Sequence, residues 1–357
     1  MTTSWKIGIL TFHRCINYGS YWQARCLVEG LRAMGHDAVL LDHDSASVNR
    51  LEWRCALDPQ RPAKAPAGDR ARYAKKTRRF FAALQELPRS IQFELEDPCS
   101  LGDLDIIVVG SDEVWNLCHP WYGRHAIFYG SGLKAGRLVS YAASFGNQRF
   151  SDGLPALWAD SLSNFFLVSV RDDNSARLVR DATGREPELV LDPCLQFPSP
   201  IERIETATAG CPYAVVYGHT FPRWFADAVR SWATATGHRL LSVGYRNDWA
   251  DEQLIAVGPR RFAQLVAGSA AVATNFFHGC IFALLNAKPF VCVSSPYRAN
   301  KLAGLMQLVS AENHLVAEDV KPALMRRLLE GLPEDGIAAR IAELRQRSHD
   351  FLEKAVA

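Results

Sequence analysis

The chain has 357 residues, 48% of them hydrophobic, which is enough to bury two cores, and its 40 basic and 38 acidic side chains leave a net charge of only +2. That balance argues against a dedicated nucleic-acid binder. No apolar run approaches the ~18–20 residues of a membrane span, the N-terminal stretch lacks a signal-peptide pattern, and the nine cysteines form no Cys-x-x-Cys pair, so a soluble cytoplasmic protein with reduced thiols is expected.

"KIGILTF" predicts a strand and "HRCINYGS" a loop. A helix follows from about Tyr21 to Met34, with Ala24, Leu27, Val28, Leu31 and Met34 on one stripe and Gly35 as its stop, and then a strand "DAVLLD". This is a βαβ unit. Its loop lacks the G-x-G-x-x-G fingerprint of dinucleotide binders. Asn17, Tyr18, Gly19 and Ser20 stand ahead of the helix, where backbone N–H groups hold an anion or a sugar hydroxyl, or where Asn17 or Ser20 simply caps it.

"RPAKAPAGDRARYAKKTRRFF", residues 61 to 81, has Asp69 as its one acid. We read a basic helical insertion at about 60–95, either a solvated face or a docking surface for an anionic or lipid-linked acceptor at a membrane. Next, "DIIVVGSDEVWN" predicts a buried strand releasing Gly110, Ser111, Asp112 and Glu113, where an acid either caps or does acid–base chemistry. "CHPWYGRH" brings Cys118, His119 and His125 together without metal-ligand spacing, and no metal is assigned. In "FFLVSVRDDNSARLV", Arg171 ends an apolar strand; its planar fork suits a carboxylate or phosphate, or an internal pair with Asp172 or Asp173.

Branched strands with intervening helices imply a parallel sheet, so 1–195 reads as a first Rossmann-like domain. The Pro-rich "PCLQFPSPIERIETATAGCP" reads as a connection. The alternation then restarts from "YAVVYGH" to a helix near Asn300, giving a second Rossmann-like domain at 210–332, and 333–357 forms a C-terminal helix that packs back across the domains. The expected fold is α/β, two Rossmann-like domains facing a cleft, with ligands at the carboxyl ends of the strands.

Within "SAAVATNFFHGCIFALLNAKPFVCV", residues 269 to 293, a helix holding Cys280 to Leu285 has no polar face and must be buried all round. His278 stands at its start, between strand and helix. A helix N-terminus favours the neutral imidazole able to accept a proton.

Taken together, "TFHRCINYGSYWQARCL", "GSDEVWN", "SYAASFG", "SVRDDNSARLV", "LDPCL", "TNFFHGCIFALLNAKPFV" and "RANKLAGLMQL" resemble the polysaccharide pyruvyl transferase family, from the first strand to about residue 310. The resemblance implies a GT-B-like fold, phosphoenolpyruvate as donor substrate, a saccharide acceptor that is free or linked to lipid or nucleotide, a cyclic pyruvate ketal as product, and no further cofactor. Carried over by motif, His278 matches the family's acid–base histidine and Arg171 a donor-binding arginine. Asp112 matches the aspartate of "GSD", to which we assign a catalytic part. Asn17, Gly19, Ser111, Asn275 and Phe277 join the substrate-binding set. Some members carry an arginine two residues before the histidine, where this chain has Phe276; Arg298 and Lys301 of "RANKL" are the replacement cations. The competing readings are a nucleotide-sugar glycosyltransferase on the same fold and a carbohydrate-binding protein without activity.

Overall fold

The structure is a computed structural model that describes residues 4–59, 66–98, 101–202 and 211–357. In chain order the elements are β1 (Lys6–Leu10), α1 (Tyr18–Ala33), β2 (Asp37–Leu40), β3 (His43–Asp44), α2 (Ala46–Leu57), α3 (Asp69–Leu84), β4 (Phe93–Glu94), β5 (Leu104–Val109), β6 (Ala135–Ser140), α4 (Ala156–Ser163), β7 (Ser169–Val170), α5 (Asp173–Thr183), β8 (Glu188–Leu189), α6 (Pro193–Gln196) and α7 (Ser199–Glu202). They continue with β9 (Tyr213–Tyr217), α8 (Arg223–Thr236), β10 (Arg239–Val243), β11 (Glu252–Leu254), α9 (Pro259–Ala267), β12 (Ala271–Thr274), α10 (Phe277–Leu285), β13 (Phe290–Val293), α11 (Ala299–Leu308), β14 (Leu315–Val316), α12 (Pro322–Glu330) and α13 (Asp335–Val356). None of these helices is long and apolar enough to cross a membrane.

The chain divides into two compact units, one built from Met1–Glu52, Glu86–Pro200 and Ile341–Ala357, the other from Trp53–Gln85 and Ile201–Arg340. In the first, β2-β1-β5-β6 form a parallel sheet, with Leu10 opposite Val109 and Val109 opposite Ser140. Parallel bridges from Val139 to Leu167 and from Ala143 to Val170 carry it on to the β7–β8 pair. Helix α1 lays Ala24, Leu27, Val28 and Leu31 into the core. It begins three residues before the apolar stripe suggests, because the Asn17 side chain accepts from the N–H groups of Gly19 and Ser20 and sets the first turn. The later part of α13 closes this unit: Trp5 Nε1 donates to the Val356 carbonyl at 2.6 Å, and the Leu191 N–H donates to Ser348 Oγ at 2.9 Å.

The second unit holds six parallel strands in the order β11-β10-β9-β12-β13-β14. Counted within the unit this is 3-2-1-4-5-6, the Rossmann order, whose direction reverses between β9 and β12. Both strands are buried throughout, with Tyr217 opposite Thr274 at the carboxyl ends. Helix α10 is buried from Phe277 to Leu284, as its lack of a polar face requires.

The basic helix α3 groups with this second unit, whereas the sequence suggests an insertion in the first domain; residues 86–95 stay with the first unit, and 60–65 lie outside the described residues. The cause is its buried face. Asp69 pairs with Arg246, Tyr73 Oη accepts from the Arg246 N–H at 3.2 Å, and Lys76 Nζ donates to the Gly244 carbonyl at 3.1 Å, partners about 170 residues away that periodicity cannot reveal. The expected connection also differs: α6 and α7 occupy its first part, and residues 203–210 lie outside the described residues.

Candidate functional site

In the first unit the sheet's direction reverses between β1 and β5, and the sequence-predicted residues of this half gather at those carboxyl ends. Ser20 Oγ donates to Asp112 Oδ2 at 2.8 Å, tying the α1 cap to the loop after β5. Thr11 Oγ1 donates to the Ser111 carbonyl at 2.9 Å. Asp112 holds a left-handed backbone at φ 75°, which aspartate tolerates better than most side chains. The side chains of Asp112 and Ser111 both meet Arg171.

Arg171 is 2% exposed, and its fork is engaged on both tines: Nη2 donates to Asp112 Oδ1 at 3.1 Å and Nη1 to Asp192 Oδ2 at 3.0 Å, with Ser111 Oγ at 3.3 Å. Burial works against the charge, but Asp112 and then Asp192 outweigh it and raise the guanidinium's pKa. The internal ion pair weighed for Arg171 is thus present, though its partners are not the adjacent Asp172 or Asp173. Asp172 instead caps α5 through the Ser175 N–H, and Asp192 caps α6 through the Cys194 N–H. The N–H groups of Gly19 and Ser20 are likewise taken by Asn17, so the α1 terminus is capped by the chain itself.

The second unit gathers a different chemistry where β9 and β12 end. Gly218, at φ 149°, must be glycine, since a Cβ there would stand 2.1 Å from Asn275 Oδ1 and 2.7 Å from the Phe221 ring. That close approach lets Asn275 Nδ2 donate to the His219 carbonyl at 2.8 Å, while Asn275 Oδ1, buried, accepts no hydrogen bond among the described residues. Thr274 Oγ1 donates to the Tyr217 carbonyl at 2.6 Å and accepts from the Phe276 N–H at 3.0 Å, locking the turn that starts α10. His278 is the second residue of that helix, buried, with its ring 5.2 Å from Phe277 in an edge-on contact.

Beside this turn His219, Tyr245 and Phe276 form a triangle of rings with centroids 5.2–5.3 Å apart. Two cations lie on it. Arg298 stands 4.5 Å over Phe276 with Nη2 at 3.4 Å from His219 Nε2, and Lys76 Nζ is 4.2 Å over Tyr245. Burial, then Arg298 and Lys76, lower the His219 pKa to about 4, so this imidazole is neutral at pH 7. Arg298 is therefore drawn to the same turn as His278 and Asn275, and Lys301, in the helix that follows, has its Nζ 5.6 Å over the exposed Tyr297 ring.

His219, Tyr245 and Lys76 were missed from sequence. His219 ends an apolar strand in "YAVVYGH" and falls under the same strand-end reasoning that selects His278. Lys76 carried no such signal, being one base among many.

No curated protein matches the chain in sequence. Among solved structures, a UDP-N-acetylglucosamine 2-epimerase superposes with a TM-score of 0.51 at 11% identity, covering 99% of this chain and 95% of that one. The S. aureus MnaA–UDP co-structure gives 0.50 at 11% identity, covering 97% and 95%. AviGT4, a glycosyltransferase involved in avilamycin A biosynthesis, gives 0.46 at 15% identity, covering 98% and 97%. At such identities the first two bear on fold alone, and the fold is the GT-B type of parallel-sheet α/β enzymes. The sequence profile of the polysaccharide pyruvyl transferases matches residues 17–296, more than three quarters of the chain, a range that takes in Asp112, Arg171, Asn275 and His278 and stops just short of Arg298. The chain is a transferase and belongs to the polysaccharide pyruvyl transferase family.

Proposed function

We propose that the enzyme takes phosphoenolpyruvate as donor and a saccharide, free or carried on a lipid or nucleotide, as acceptor. Protonation of the enol methylene makes the adjacent carbon electrophilic, one acceptor hydroxyl adds there and loses its proton, and a second hydroxyl displaces phosphate to close the ketal. His278 takes the hydroxyl proton in this scheme. The observation that carries the reading is the company of His278: a strand-end turn in the second unit that also holds Asn275, with Arg298 resting on the ring of Phe276.

Arg298 supplies the cation for the donor's carboxylate or phosphate, supported by its seat at the turn where Phe276 leaves no charge of its own. Lys301, three residues further on, serves the same anion from the first turn of α11. Asn275 Oδ1 accepts from a substrate hydroxyl, and Phe277 steers the imidazole edge-on. In the first unit, Asp112 has its oxygens engaged by Arg171, Ser20 and the Glu113 N–H, so its part is to hold Arg171 and the start of α1 in place rather than to shuttle protons.

An array of donors against a panel of saccharides tests this, read by mass spectrometry and by phosphate release, with UDP-N-acetylglucosamine as the control donor because a structural neighbour is a UDP-N-acetylglucosamine 2-epimerase. The expected result is a pyruvate ketal formed from phosphoenolpyruvate alone. His278→Ala should slow it ~10²–10⁴-fold with an unchanged melting midpoint. Sugar transfer from the nucleotide sugar, or full turnover by the variant, would overturn the proposal.

A further inference from the structure

Helix α3 carries a charge distribution that the pyruvyl transfer reading does not use. Its one acid, Asp69, is 1% exposed and bound to Arg246, and Lys76 is turned inward with Tyr73 and Phe80. Every charged side chain on its exposed surface is basic: Arg70, Arg72, Lys75, Arg78 and Arg79. Arg72 lies near Asp69 and Arg79 donates to the Ala256 carbonyl, whereas Arg70, Lys75 and Arg78 make no ion pair among the described residues. The neighbouring exposed acids in sequence, Asp58 and Glu86, fall outside the helix. In a chain of net charge +2, positive charge is thus concentrated on one helical face.

An aromatic residue flanks it. Trp53 of α2 is 43% exposed and stands edge-on to Phe81 of α3 at 5.9 Å. An indole left half in water beside a row of long basic side chains suits the boundary between headgroups and acyl chains, while the bases meet the headgroup phosphates. A nucleic-acid duplex would use the bases but offers no apolar layer to the half-exposed indole, and its binding is tested below. We propose that the exposed face of α3, with Trp53 at its flank, docks the enzyme on an anionic lipid surface.

Each base near such a surface is worth about a fivefold gain in partition, so removing three costs on the order of 100-fold. The test is co-sedimentation of the full chain with phosphatidylcholine vesicles that contain or lack phosphatidylglycerol. The expected result is binding only to the anionic vesicles, lost in high salt, lost in Arg70→Gln/Lys75→Gln/Arg78→Gln, retained in the charge-preserving Arg70→Lys/Lys75→Arg/Arg78→Lys, and weakened several-fold in Trp53→Ala. An unchanged circular dichroism spectrum of the neutralised variant excludes misfolding. No binding to anionic vesicles, equal binding by the neutralised variant, or tighter binding to duplex DNA than to vesicles at the same salt would each overturn the proposal.

Discussion

The guanidinium of Arg298 lies 4.5 Å from the centre of the Phe276 ring and shares a 3.4 Å contact with Nε2 of His219. Charge thereby reaches the start of α10 from a different element, a loop that follows β13. A charge-assisted hydrogen bond to an anion is worth ~1.5–3 kcal/mol, so Arg298→Ala should raise the KM for the anionic donor ~10- to 150-fold. Arg298→Lys should recover only part of this, since an ammonium stacks on a ring less well than a planar guanidinium. Steady-state kinetics at saturating acceptor check both, and an unchanged KM in the alanine variant would remove Arg298 from donor binding.

Arg171 poses a question of stability. Both carboxylates it joins are buried, and truncating one partner of such a network leaves uncompensated charge behind. Arg171→Ala should destabilise the first unit by ~3–5 kcal/mol. Lysine cannot span Asp112 and Asp192 with one ammonium and should also be destabilising. Urea titration followed by fluorescence gives the comparison; wild-type stability in both variants would contradict an internal role.

His219 predicts a pH dependence with a definite sign. Its folded pKa lies near 4 and its unfolded pKa near 6.5, so between those values the unfolded chain binds more protons. Stability from this group is complete above pH ~6.5 and falls as pH drops toward 4, by up to about 1.4 kcal/mol per pH unit. His219→Gln should flatten the slope within that window alone. Melting midpoints across the range provide the measurement, and an unaltered slope would show that other groups carry it.

The sequence made the periodic parts legible. The buried stripe Ala24–Leu31 and the all-apolar α10 follow from spacing, because burial on one side or on all sides leaves a pattern in adjacent residues. The position of His278 at the start of α10 was legible for the same reason, as a polar residue between two apolar elements. Pairings between distant residues were not. Asp112 and Asp192 stand 59 and 21 positions from Arg171, so nothing local distinguished them from Asp172 and Asp173. Asp69 looked like a stray acid in a basic tract until its partner Arg246, 177 positions away, was placed beside it.

Both units are assembled from separated stretches of chain, and this constrains the order in which they come into being. Trp5 waits for Val356, and Leu191 for Ser348, before the first unit's hydrogen bonds are complete. On a ribosome that emits the chain from its N-terminus, every segment of the second unit through Arg340 emerges before the first unit's Ile341–Ala357. The part begun earliest is completed last. A released chain truncated after Arg340 should therefore keep a protease-resistant second unit while its first unit is cut.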